Sequence, residues 1–531
     1  MIYTKSARRV AKEAAAARWA ELPPARLSAL GLDPAKLAAL AAVFKGHLVF
    51  PGEADYEQDR QESNPAFQAF PLMIAYCAAI TDVALILGVA RDAGIQVACR
   101  SGGHSTAGYS VNDGIVLDTS GMNDVVVNAA AKTATVGPGT QFEKLNATLD
   151  SYHLHVPGGG CPDVCVGGYM QGGGYGFTSR EFGMHCDNVL AVLVMLVDGS
   201  IVAADANNHA DLFWAIRGGT GNNFGVLLQT TYQLHDLWQI QGFGLRWSLN
   251  DAPAALVAIQ QNYTRGSAPA TLGHMTVITL QADNQPYLLM RGVFDGSAAQ
   301  AMQALAPLLA TPGVQFDIPL QQNSYYQINT LLLETAPWTI PFVPAQPPNT
   351  SIKEDKQSGY IATPVPLSHW QKVIAYYRTA PAAFNTVVIE PYGGQISSTP
   401  TYANAFVHRR VDMDFFVDSF WVNDADKPRA EAWLDGFMQL MAPYFNGEQY
   451  QNYPRRNTAN YRQAYWGNAF STLLRIKQRY NNTTLLDFEQ SITPAPVPND
   501  PCLHLAAEHA ATVPAACALR PEPYSMPAAK S

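Results

Sequence analysis

Four glycine-rich segments between residues 102 and 225 limit what this chain can fold into more than any other feature. They are Gly102-Gly103, Gly137-Pro138-Gly139, Gly158 to Gly176, and Gly218 to Gly225. Glycine has no Cβ, so backbone amides in such loops can converge on an anion, and nests of amides suit a pyrophosphate. One glycine loop alone is more often a tight turn. Four in succession favour a large anionic cofactor.

Two common nucleotide-binding motifs do not account for these loops. None of them contains the Gly-Lys-Ser/Thr sequence of a phosphate-binding loop. None combines Gly-x-Gly-x-x-Gly with a preceding strand, a following helix and an acidic residue at the usual distance. The cofactor is therefore expected to be held by a different arrangement.

Length and charge narrow the class of protein. A chain of 531 residues exceeds the limit of roughly 250–300 residues for one core, so we expect at least two lobes. The net charge is −9 and basic residues do not cluster, which disfavours a nucleic-acid or anionic-membrane partner. Apolar stretches such as Ile80 to Ala90 are too short to span a bilayer. We expect a soluble protein, either cytoplasmic or exported with its leader removed.

The seven cysteines show no paired metal-ligand spacing. Their odd number and scattered positions predict neither a metal site nor a dense disulfide framework. Cys502 and Cys517 lie in a Pro/Ala-rich tail and could form one bridge, so the redox compartment stays open.

The order of predicted elements indicates an α+β protein. Residues 1 to 46 are predicted to be helical, with Asp33 as cap and Pro34 as first helical residue, and to form an addition to a core that begins later. A mixed lobe extends to about His235 and includes a hairpin turning at Asp198-Gly199. From about Leu237, long strand candidates alternate with amphipathic helices, which predicts an antiparallel sheet covered by helices. A Pro-rich loop spans Pro337 to Pro348, and a last helix, Trp466 to Tyr480, is expected to return to the first lobe.

Several ordered segments resemble one known family. Arg100-Ser-Gly-Gly-His104-Ser, followed by Cys161-Pro-Asp-Val164-Cys165-Val-Gly-Gly, is similar to the berberine bridge enzyme-like FAD-linked oxidases of the vanillyl-alcohol oxidase superfamily. The other matching segments are Asp187-Asn188-Val189, Asp211 to Gly219, Gly221 to Val226, Tyr450-Gln-Asn-Tyr453, Tyr465-Trp-Gly-Asn468 and Phe488 to Ile492. The resemblance runs from about residue 65 to 492.

The resemblance implies a fold and a domain plan. The fold would be a PCMH-type FAD-binding lobe of two subdomains, joined to a substrate lobe whose antiparallel sheet is covered by helices. The expected boundaries are an N-terminal helical extension at 1–60, the FAD-binding domain at 61–237, the substrate domain at 238–448, a returning segment at 449–495 and a tail at 496–531.

The resemblance also implies covalently bound FAD. In this family a histidine of the first glycine loop bonds to the flavin 8α carbon and some members add a cysteine bond at C6, which correspond here to His104 and Cys161. Cys165 is a nearby competitor, but Cys161, which precedes Pro162, matches better. The remaining implied cofactor-binding residues are Arg100, Ser101, Gly102, Gly103, Ser105, Gly137, Gly139, Thr140, Gly167, Gly168, Gly172, Gly176, Asn188, Gly225, Val226, Tyr465 and Asn468.

Alcohol oxidation requires a base for the hydroxyl proton. By its match to the family segment, Tyr453 is the first candidate, as a phenolate favoured by a nearby cation, with Tyr450 behind it and Tyr175 lining the flavin face. Each could instead be an aromatic wall residue. Asp414 is a possible second base, although its alternation with Asp412 and Asp418 also fits a solvent-facing strand. Arg455 stands where relatives often carry an acid, so the hydrogen bonding there is open.

The function implied is oxidation of an alcohol with dioxygen as acceptor, giving hydrogen peroxide. Val164 supports an oxidase, because a small branched residue at this position in the family leaves room for dioxygen. The substrate would be a sugar or oligosaccharide hemiacetal, or a hydroxyl of a natural product. Alternatives are a dehydrogenase with another electron acceptor, an oxidative cyclase, and a non-catalytic flavoprotein. The oligomeric state is not indicated.

Overall fold

The computed structural model describes residues 24–264, 268–281, 283, 285–334 and 352–493. The helices are α1 (Pro24–Ala29), α2 (Pro34–Val43), α3 (Tyr56–Asp59), α4 (Ile80–Ala93), α5 (Phe142–Asp150), α6 (Val166–Gln171), α7 (Ser179–Phe182), α8 (Ala210–Ile216), α9 (Ala252–Ile259), α10 (Ala298–Leu309), α11 (Tyr325–Glu334), α12 (Leu367–Tyr377), α13 (Gly394–Ser398), α14 (Lys427–Met441), α15 (Tyr461–Trp466) and α16 (Phe470–Tyr480). The strands are β1 (His47–Val49), β2 (Met73–Tyr76), β3 (Val97–Arg100), β4 (Ile115–Asp118), β5 (Val125–Asn128), β6 (Thr133–Val136), β7 (Leu154–His155), β8 (Val189–Met195), β9 (Ile201–Asp205), β10 (Val226–Gln233), β11 (His235–Asp236), β12 (Ile240–Ser248), β13 (Leu272–Leu280), β14 (Pro286–Phe294), β15 (Gln315–Asn323), β16 (Lys353–Ile361), β17 (Thr386–Pro391) and β18 (Met413–Trp421).

Two sheets form the first lobe. A four-stranded sheet has the order β1-β2-β4-β3, with β2, β4 and β3 parallel and β1 antiparallel to β2. A five-stranded antiparallel sheet has the order β5-β6-β10-β8-β9. Helix α4 connects β2 to β3, and Gly94 ends it in the left-handed conformation at φ 65°. Strand β2, helix α4 and strand β3 thus form a strand–helix–strand unit that runs into the first glycine loop.

The N-terminal part is integrated into this lobe, which differs from the expected addition. Strand β1 pairs with β2, although residues 1–46 and the extension to 60 were predicted as helical. Leu30, Leu37 and Phe44 are buried in the same apolar cluster as α4 and β2. The predicted cap is confirmed, because the Asp33 carboxylate accepts a hydrogen bond from Lys36 N at 2.8 Å and Pro34 begins α2. Apolar residues in α1 and α2 therefore complete the core of the first lobe.

The second lobe is built on one seven-stranded antiparallel sheet, in the order β15-β12-β14-β13-β17-β18-β16. Its strands alternate, so that the two faces carry different side chains. Phe415, Val417 and Ile389 point to one face, where α9, α10, α12 and α14 cover them in an apolar core. Val388 and Phe416 point to the other face, in a small cluster that includes Tyr453. The predicted α+β class and helix-covered antiparallel sheet are confirmed.

Hydrogen bonds from Arg409 and from the last described segment join the two lobes. The Arg409 guanidinium donates to both carboxylate oxygens of Asp187, at 2.6 and 2.7 Å, and links the second lobe to the first. Tyr450 N donates to Ser358 Oγ on β16, while Tyr450 Oη accepts from Gly174 N in the first lobe. The predicted last helix is interrupted, since Gly467 adopts φ 49° between α15 and α16.

Some expectations lie outside the described residues: the helix over Met1 to Glu21, the Pro-rich loop Pro337 to Pro348, the tail at 496–531, and the Cys502 and Cys517 pair. None of the helices in the described ranges has the length and apolar character needed to span a bilayer.

Candidate active site

The glycine loops of the first lobe pack against one another. A Cβ on Gly102 would lie 3.1 Å from Cys165 Sγ, and one on Gly167 would lie 2.7 Å from Pro138 O. A Cβ on Gly139 would lie 2.3 Å from Thr119 O. Real Cβ atoms do not approach backbone oxygens that closely, so positions 139 and 167 need glycine, while Gly102 leaves room for the Cys165 sulfur. The sequence brings its first three glycine segments together because only glycine permits such contacts.

The loops leave an open stretch of backbone surface at Gly168, which suits an elongated, anionic cofactor such as FAD. Gly168 is exposed, and a Cβ there would meet only Ser101 Oγ at 3.9 Å. In the adjoining loop, Thr140 is fully buried, and its hydroxyl has no hydrogen-bond partner in the described chain. A buried hydroxyl is rarely left unpaired in a native protein, and a bound ligand would satisfy it. The donors and the open backbone suit a pyrophosphate-containing ligand.

His104 and Cys161 lie on neighbouring loops at the edge of this surface. His104 Nε2 is 3.3 Å from Asp163 Oδ2, which places the first glycine loop against the segment 161–165. Cys161 is partly buried, and burial raises the pKa of its thiol to about 11, with Asp163 raising it further and Lys356 lowering it. Charged groups of both lobes therefore affect the pKa of Cys161, which lies where the lobes meet.

Cys165 and Val164 belong to the same segment. Cys165 is buried, and its Sγ donates to Gly139 O at 3.3 Å, so this thiol helps to pack the loops. Val164 is partly buried against the apolar cluster of the first lobe, and its carbonyl accepts from Phe142 N at 3.0 Å. Cys161 and Cys165 are both free thiols in the structure.

Opposite these loops lies the face of the seven-stranded sheet that the helices of the second lobe do not cover. This face carries two adjacent carboxyl groups. Register places Glu390 of β17 directly across from Asp414 of β18, and Tyr360 of β16 on the other side of Asp414. Both carboxyls are fully buried. Within the described residues no side chain bonds either oxygen of Asp414, and Glu390 Oε2 also lacks a partner. Burial excludes the solvent-facing alternative for the strand that contains Asp414.

Tyr453 is bonded to this carboxyl pair. Its hydroxyl donates to Glu390 Oε1 at 3.1 Å, and its ring packs on Phe416 with centroids 4.5 Å apart. Burial raises the pKa of Glu390 to about 8, while the hydrogen bond from Tyr453 opposes this rise. Burial and the charge of Glu390 raise the pKa of Tyr453 well above its usual value. A resting phenolate, as expected from the sequence, is therefore disfavoured, and the pair is better suited to passing a proton from Tyr453 to Glu390.

A cation lies beside the pair, as the sequence analysis required for a tyrosine base. Lys356 Nζ lies 4.8 Å from the ring centroids of both Tyr453 and Phe416. It is also 2.9 Å from Asp418 Oδ1 and 3.4 Å from Glu354 Oε1. Its positive charge lowers the pKa of Glu390 against the larger effect of burial. Lys356 thus offsets part of the negative charge on this face.

Tyr175 and Tyr450 line the site without matching the geometry of a free base. Tyr175 Oη donates to Pro391 O at 2.8 Å, and its ring stacks on Tyr392 at 5.5 Å. Tyr450 Oη accepts from Gly174 N at 2.7 Å and from Asn452 Nδ2 at 3.0 Å. The Tyr450 ring meets the Tyr453 ring edge-on at 4.9 Å. Both hydroxyls are engaged with backbone groups, so both tyrosines shape the wall around Tyr453.

The remaining predicted cofactor residues divide into loop residues and supporting residues. Arg100 is buried, and its guanidinium pairs with Asp118 at 2.5 Å, so this side chain stabilises the loop. A Cβ on Gly172 would lie 1.9 Å from Asn452 Oδ1, and one on Gly176 would lie 1.9 Å from Gly158 O, so both serve close packing. In the first loop, Gly103 has φ 73° and Ser105 accepts a hydrogen bond from Tyr109 N. Gly137 packs on Met122 O, Gly225 packs on Met195 O, and Val226 is buried in β10. Asn188 forms hydrogen bonds with Phe182 O, Met184 O and His235.

Tyr465 and Asn468 belong to the returning segment. Tyr465 is buried in α15 and its hydroxyl donates to Gln490 Oε1 at 3.1 Å. Asn468 is exposed in the turn between α15 and α16. Arg455 is paired with Asp355 and Asp435, which supplies the hydrogen bonding that the sequence left open. These residues hold the returning segment in place.

Sequence patterns do not single out Glu390, Lys356 or Asp163. Glu390 is a single acid at the end of the apolar run Val387-Val388-Ile389, which is a weak signal. Its importance depends on the register that puts it next to Asp414 and within reach of Tyr453. Lys356 and Asp163 likewise become informative only when the strand and the loop are placed against their neighbours.

Comparisons with known proteins agree with this geometry. A domain described as "FAD binding domain" matches residues 71–205, and one described as "Berberine and berberine like" matches residues 449–493. The chain is 29% identical over 461 residues to the FAD-linked oxidoreductase YvdP of Bacillus subtilis (strain 168), covering 85% of this chain and 98% of that protein. It is 26% identical over 470 residues to a carbohydrate oxidase of Microdochium nivale, covering 84% and 92%. The solved structure of wild-type BBE-like 1 from Physcomitrella patens superposes with a TM-score of 0.77 at 25% identity, covering 87% of this chain and 99% of that one.

Proposed function

This chain belongs to the berberine bridge enzyme-like FAD-linked oxidoreductases and has their PCMH-type fold, and from that premise we propose that it oxidises an alcohol with a covalently held FAD and dioxygen. The observation that carries the proposal is the Tyr453–Glu390 hydrogen bond on the sheet face opposite the glycine loops. The FAD-binding domain would span 61–237 and the substrate domain 238–448, with 449–495 returning to the first and bringing Tyr453 to the second.

Residues of the glycine loops would hold the cofactor. The backbone near Gly102, Gly139 and Gly168 would face the pyrophosphate, with Thr140 Oγ1 donating to it. His104 and Cys161 would tether the ring system at the edge of the loops, where the two lobes meet. FAD, when bound, accepts a hydride equivalent from the substrate carbon and passes two electrons to dioxygen, which leaves as hydrogen peroxide.

The chain's own residues would move the hydroxyl proton. Tyr453 Oη would take the proton from the substrate hydroxyl as it gives its own proton to Glu390 Oε1. Glu390 can accept it when ionised, and Lys356 favours that state. Asp414 would bind a second substrate hydroxyl, because no side chain of the described protein bonds its oxygens. General base catalysis of this kind contributes roughly 10²–10⁴-fold to the rate.

The wall of the site favours a polyhydroxylated substrate. Glu390 and Asp414 offer buried carboxyl oxygens to hydroxyl groups, and Phe416 and Tyr453 provide aromatic surface on which a sugar ring can stack. A carbohydrate oxidase is among the relatives, which supports a sugar or oligosaccharide hemiacetal. A natural-product hydroxyl remains the second substrate class to test. Val164 favours dioxygen as the acceptor.

A substrate panel with two readouts tests this proposal. The holoenzyme is mixed anaerobically with sugars, oligosaccharides and aromatic alcohols, and bleaching of the visible flavin absorbance is followed. The same panel in air is assayed for hydrogen peroxide. We expect reduction by at least one carbohydrate, with one peroxide per turnover. Bleaching without peroxide would replace the oxidase by a dehydrogenase.

Variants connect that activity to the site. Tyr453→Phe should lose activity by roughly 10²–10⁴-fold while it retains flavin. Tyr377→Phe is the matched control, because Tyr377 lies in the core on the opposite side of the sheet and its hydroxyl likewise donates one hydrogen bond, to Asn385 O at 3.0 Å. Equal activity in the two variants would refute the role of Tyr453.

A further inference from the structure

Asp163 is the partner of His104 in the structure. The distance from Asp163 Oδ2 to His104 Nε2 is 3.3 Å, and the two side chains are 24% and 30% exposed. Partial burial raises the pKa of a carboxyl, but contact with His104 lowers the pKa of Asp163 below its usual value. Asp163 does not cap α6, whose N-cap residue is Cys165. Its side chain is therefore available to His104.

The backbone around Asp163 is fixed on both sides. Glu143 N donates to Pro162 O at 2.9 Å, and Phe142 N donates to Val164 O at 3.0 Å. These two bonds anchor the loop to the start of α5. A carboxylate on an anchored loop can orient an imidazole, whereas one on a free loop would spread over many positions.

We propose that Asp163 is a positioning residue that makes His104 Nδ1 the nitrogen that bonds to FAD, an inference that rests on the covalent attachment proposed above. An imidazole whose Nε2–H faces a carboxylate carries its lone pair on Nδ1. The same division of labour orients the histidine of a hydrolase triad through its neighbouring aspartate.

Covalent attachment is a two-electron oxidation in which one bond forms and two bonds to hydrogen break. Nδ1 uses its lone pair to form a bond to the 8α carbon, and one C–H bond of the 8α methyl group breaks. The imidazole gains positive charge, which Asp163 stabilises, and the Nε2 proton leaves through this carboxylate. The cofactor is left with two more electrons, and dioxygen removes them with the two released protons as hydrogen peroxide.

Asp163 affects the second tether in the opposite direction. Its negative charge raises the pKa of Cys161, so it favours bond formation at His104 and disfavours the thiolate at Cys161. General damage to the loop 161–165 would impair both tethers. Opposite effects on the two tethers would distinguish a positioning role from such damage.

The test uses two single-tether backgrounds of the full chain. Cys161→Ala retains only the histidyl tether and His104→Ala only the cysteinyl tether. Each is combined with Asp163→Asn, produced with limited riboflavin, and then supplied with FAD. Attachment is followed by the fraction of flavin that stays with acid-precipitated protein and by the mass of the peptide carrying residue 104 or 161. Glu143→Gln is the matched control, because it removes an exposed carboxylate from the helix that anchors the loop.

We expect Asp163→Asn to slow histidyl attachment at least about tenfold, the factor that corresponds to one pKa unit of lost charge interaction. In the cysteinyl background the rate should be unchanged or higher, and Asp163→Glu should recover part of the histidyl rate. Nuclear magnetic resonance of the flavin peptide from Cys161→Ala should place FAD on Nδ1.

Two results would overturn the inference while leaving the proposed function intact: an unchanged histidyl rate in Asp163→Asn, or FAD on Nε2. An equal loss in both backgrounds would also overturn it, since this would indicate damage to the loop. If His104 of Cys161→Ala carries no added mass although flavin is bound and activity persists, the covalent histidyl tether and the role of Asp163 both fail. If neither flavin nor activity is found in the wild-type protein, the proposed function fails with them.

Discussion

The two faces of the seven-stranded sheet are built from the same strands but carry side chains of different kinds. On the face covered by helices, Val387, Ile389 and Phe415 are buried among apolar side chains. On the other face, their direct neighbours in sequence include Glu390 and Asp414. Alternation along a strand lets one backbone place both sets with no additional element. The first face stabilises the lobe, and the second is the face to which we assign the proposed chemistry.

The second face is costly to maintain. A buried polar group without a partner costs about 1–3 kcal/mol, and the oxygens of Asp414 and Glu390 Oε2 are in this position among the described side chains. Apolar residues of similar size would make the lobe more stable. Such a cost is typical of functional sites, where stability is exchanged for reactivity. Substitutions on the two faces should therefore differ in kind.

The largest effect is expected at Glu390. Glu390→Gln retains the shape and a hydrogen-bond acceptor for Tyr453 but cannot take its proton, so turnover should fall by roughly 10²–10⁴-fold. Steady-state kcat measured per bound flavin gives the effect. The melting temperature should not fall. A stable variant with wild-type kcat would remove Glu390 from the proton path.

The complementary effect is expected at Phe415 on the helix-covered face. Phe415→Ala removes a fully buried ring and should lower the free energy of unfolding by about 3–5 kcal/mol. Chemical denaturation measures this loss. The surviving folded protein should retain kcat per bound flavin, because Phe415 points away from Tyr453. A large loss of kcat with little loss of stability would contradict the division between the faces.

Sequence alone predicted this division only in part. The long strand candidates after Leu237 predicted the antiparallel sheet, and the ordered motifs named His104, Cys161 and Tyr453 as candidates. The pattern could not select Glu390, because a single acid at the end of an apolar strand is equally typical of a strand terminus. Its pairing with Asp414 follows from the register of two strands that are separated by a long connection, and register depends on tertiary packing.

The prediction that the N-terminal segment is only an addition to the core was wrong for a related reason. Its Ala-rich composition favours helix locally, and α1 and α2 confirm this beyond residue 24. The three residues of β1 are too few to show alternation, and they are a strand because β2 offers an edge to pair with. Local propensity therefore predicted the helices but not the attachment of this segment to the core.

Glu390 should make the stability of the fold depend on pH. Because burial raises the pKa of Glu390 to about 8, the folded protein binds a proton between the ordinary carboxyl range and pH 8 that the unfolded chain does not. The contribution of Glu390 to the free energy of unfolding is therefore present at low pH, and it is lost as the pH rises from the ordinary carboxyl range through about 8. Glu390→Gln removes this pH dependence of stability. The free energy of unfolding of the variant should therefore exceed that of the wild-type protein by an amount that grows with pH and is more than about 1.4 kcal/mol at pH 9.

The same group should govern activity in the opposite sense. The base form of Glu390 increases as pH rises, so kcat/KM should increase toward pH 8. Lys356→Met removes a cation that lowers the pKa of Glu390, so the rising limb should move to higher pH. A limb that stays in place in Lys356→Met would show that another group controls it.

The smallest effects come from isosteric exchanges at two adjacent residues. Thr386 Oγ1 donates to Asp418 Oδ2 at 2.7 Å on the site face, so Thr386→Val should cost about 1 kcal/mol. Val387 is buried on the apolar face, and Val387→Thr adds a hydroxyl with no polar neighbour in that cluster, at a cost of about 1–3 kcal/mol. Both changes preserve volume, so denaturation curves compare polarity alone. If Thr386→Val is the more destabilising of the two, polar pairing contributes more to this sheet than apolar burial does, and the contrast between its faces is weaker than the burial pattern indicates.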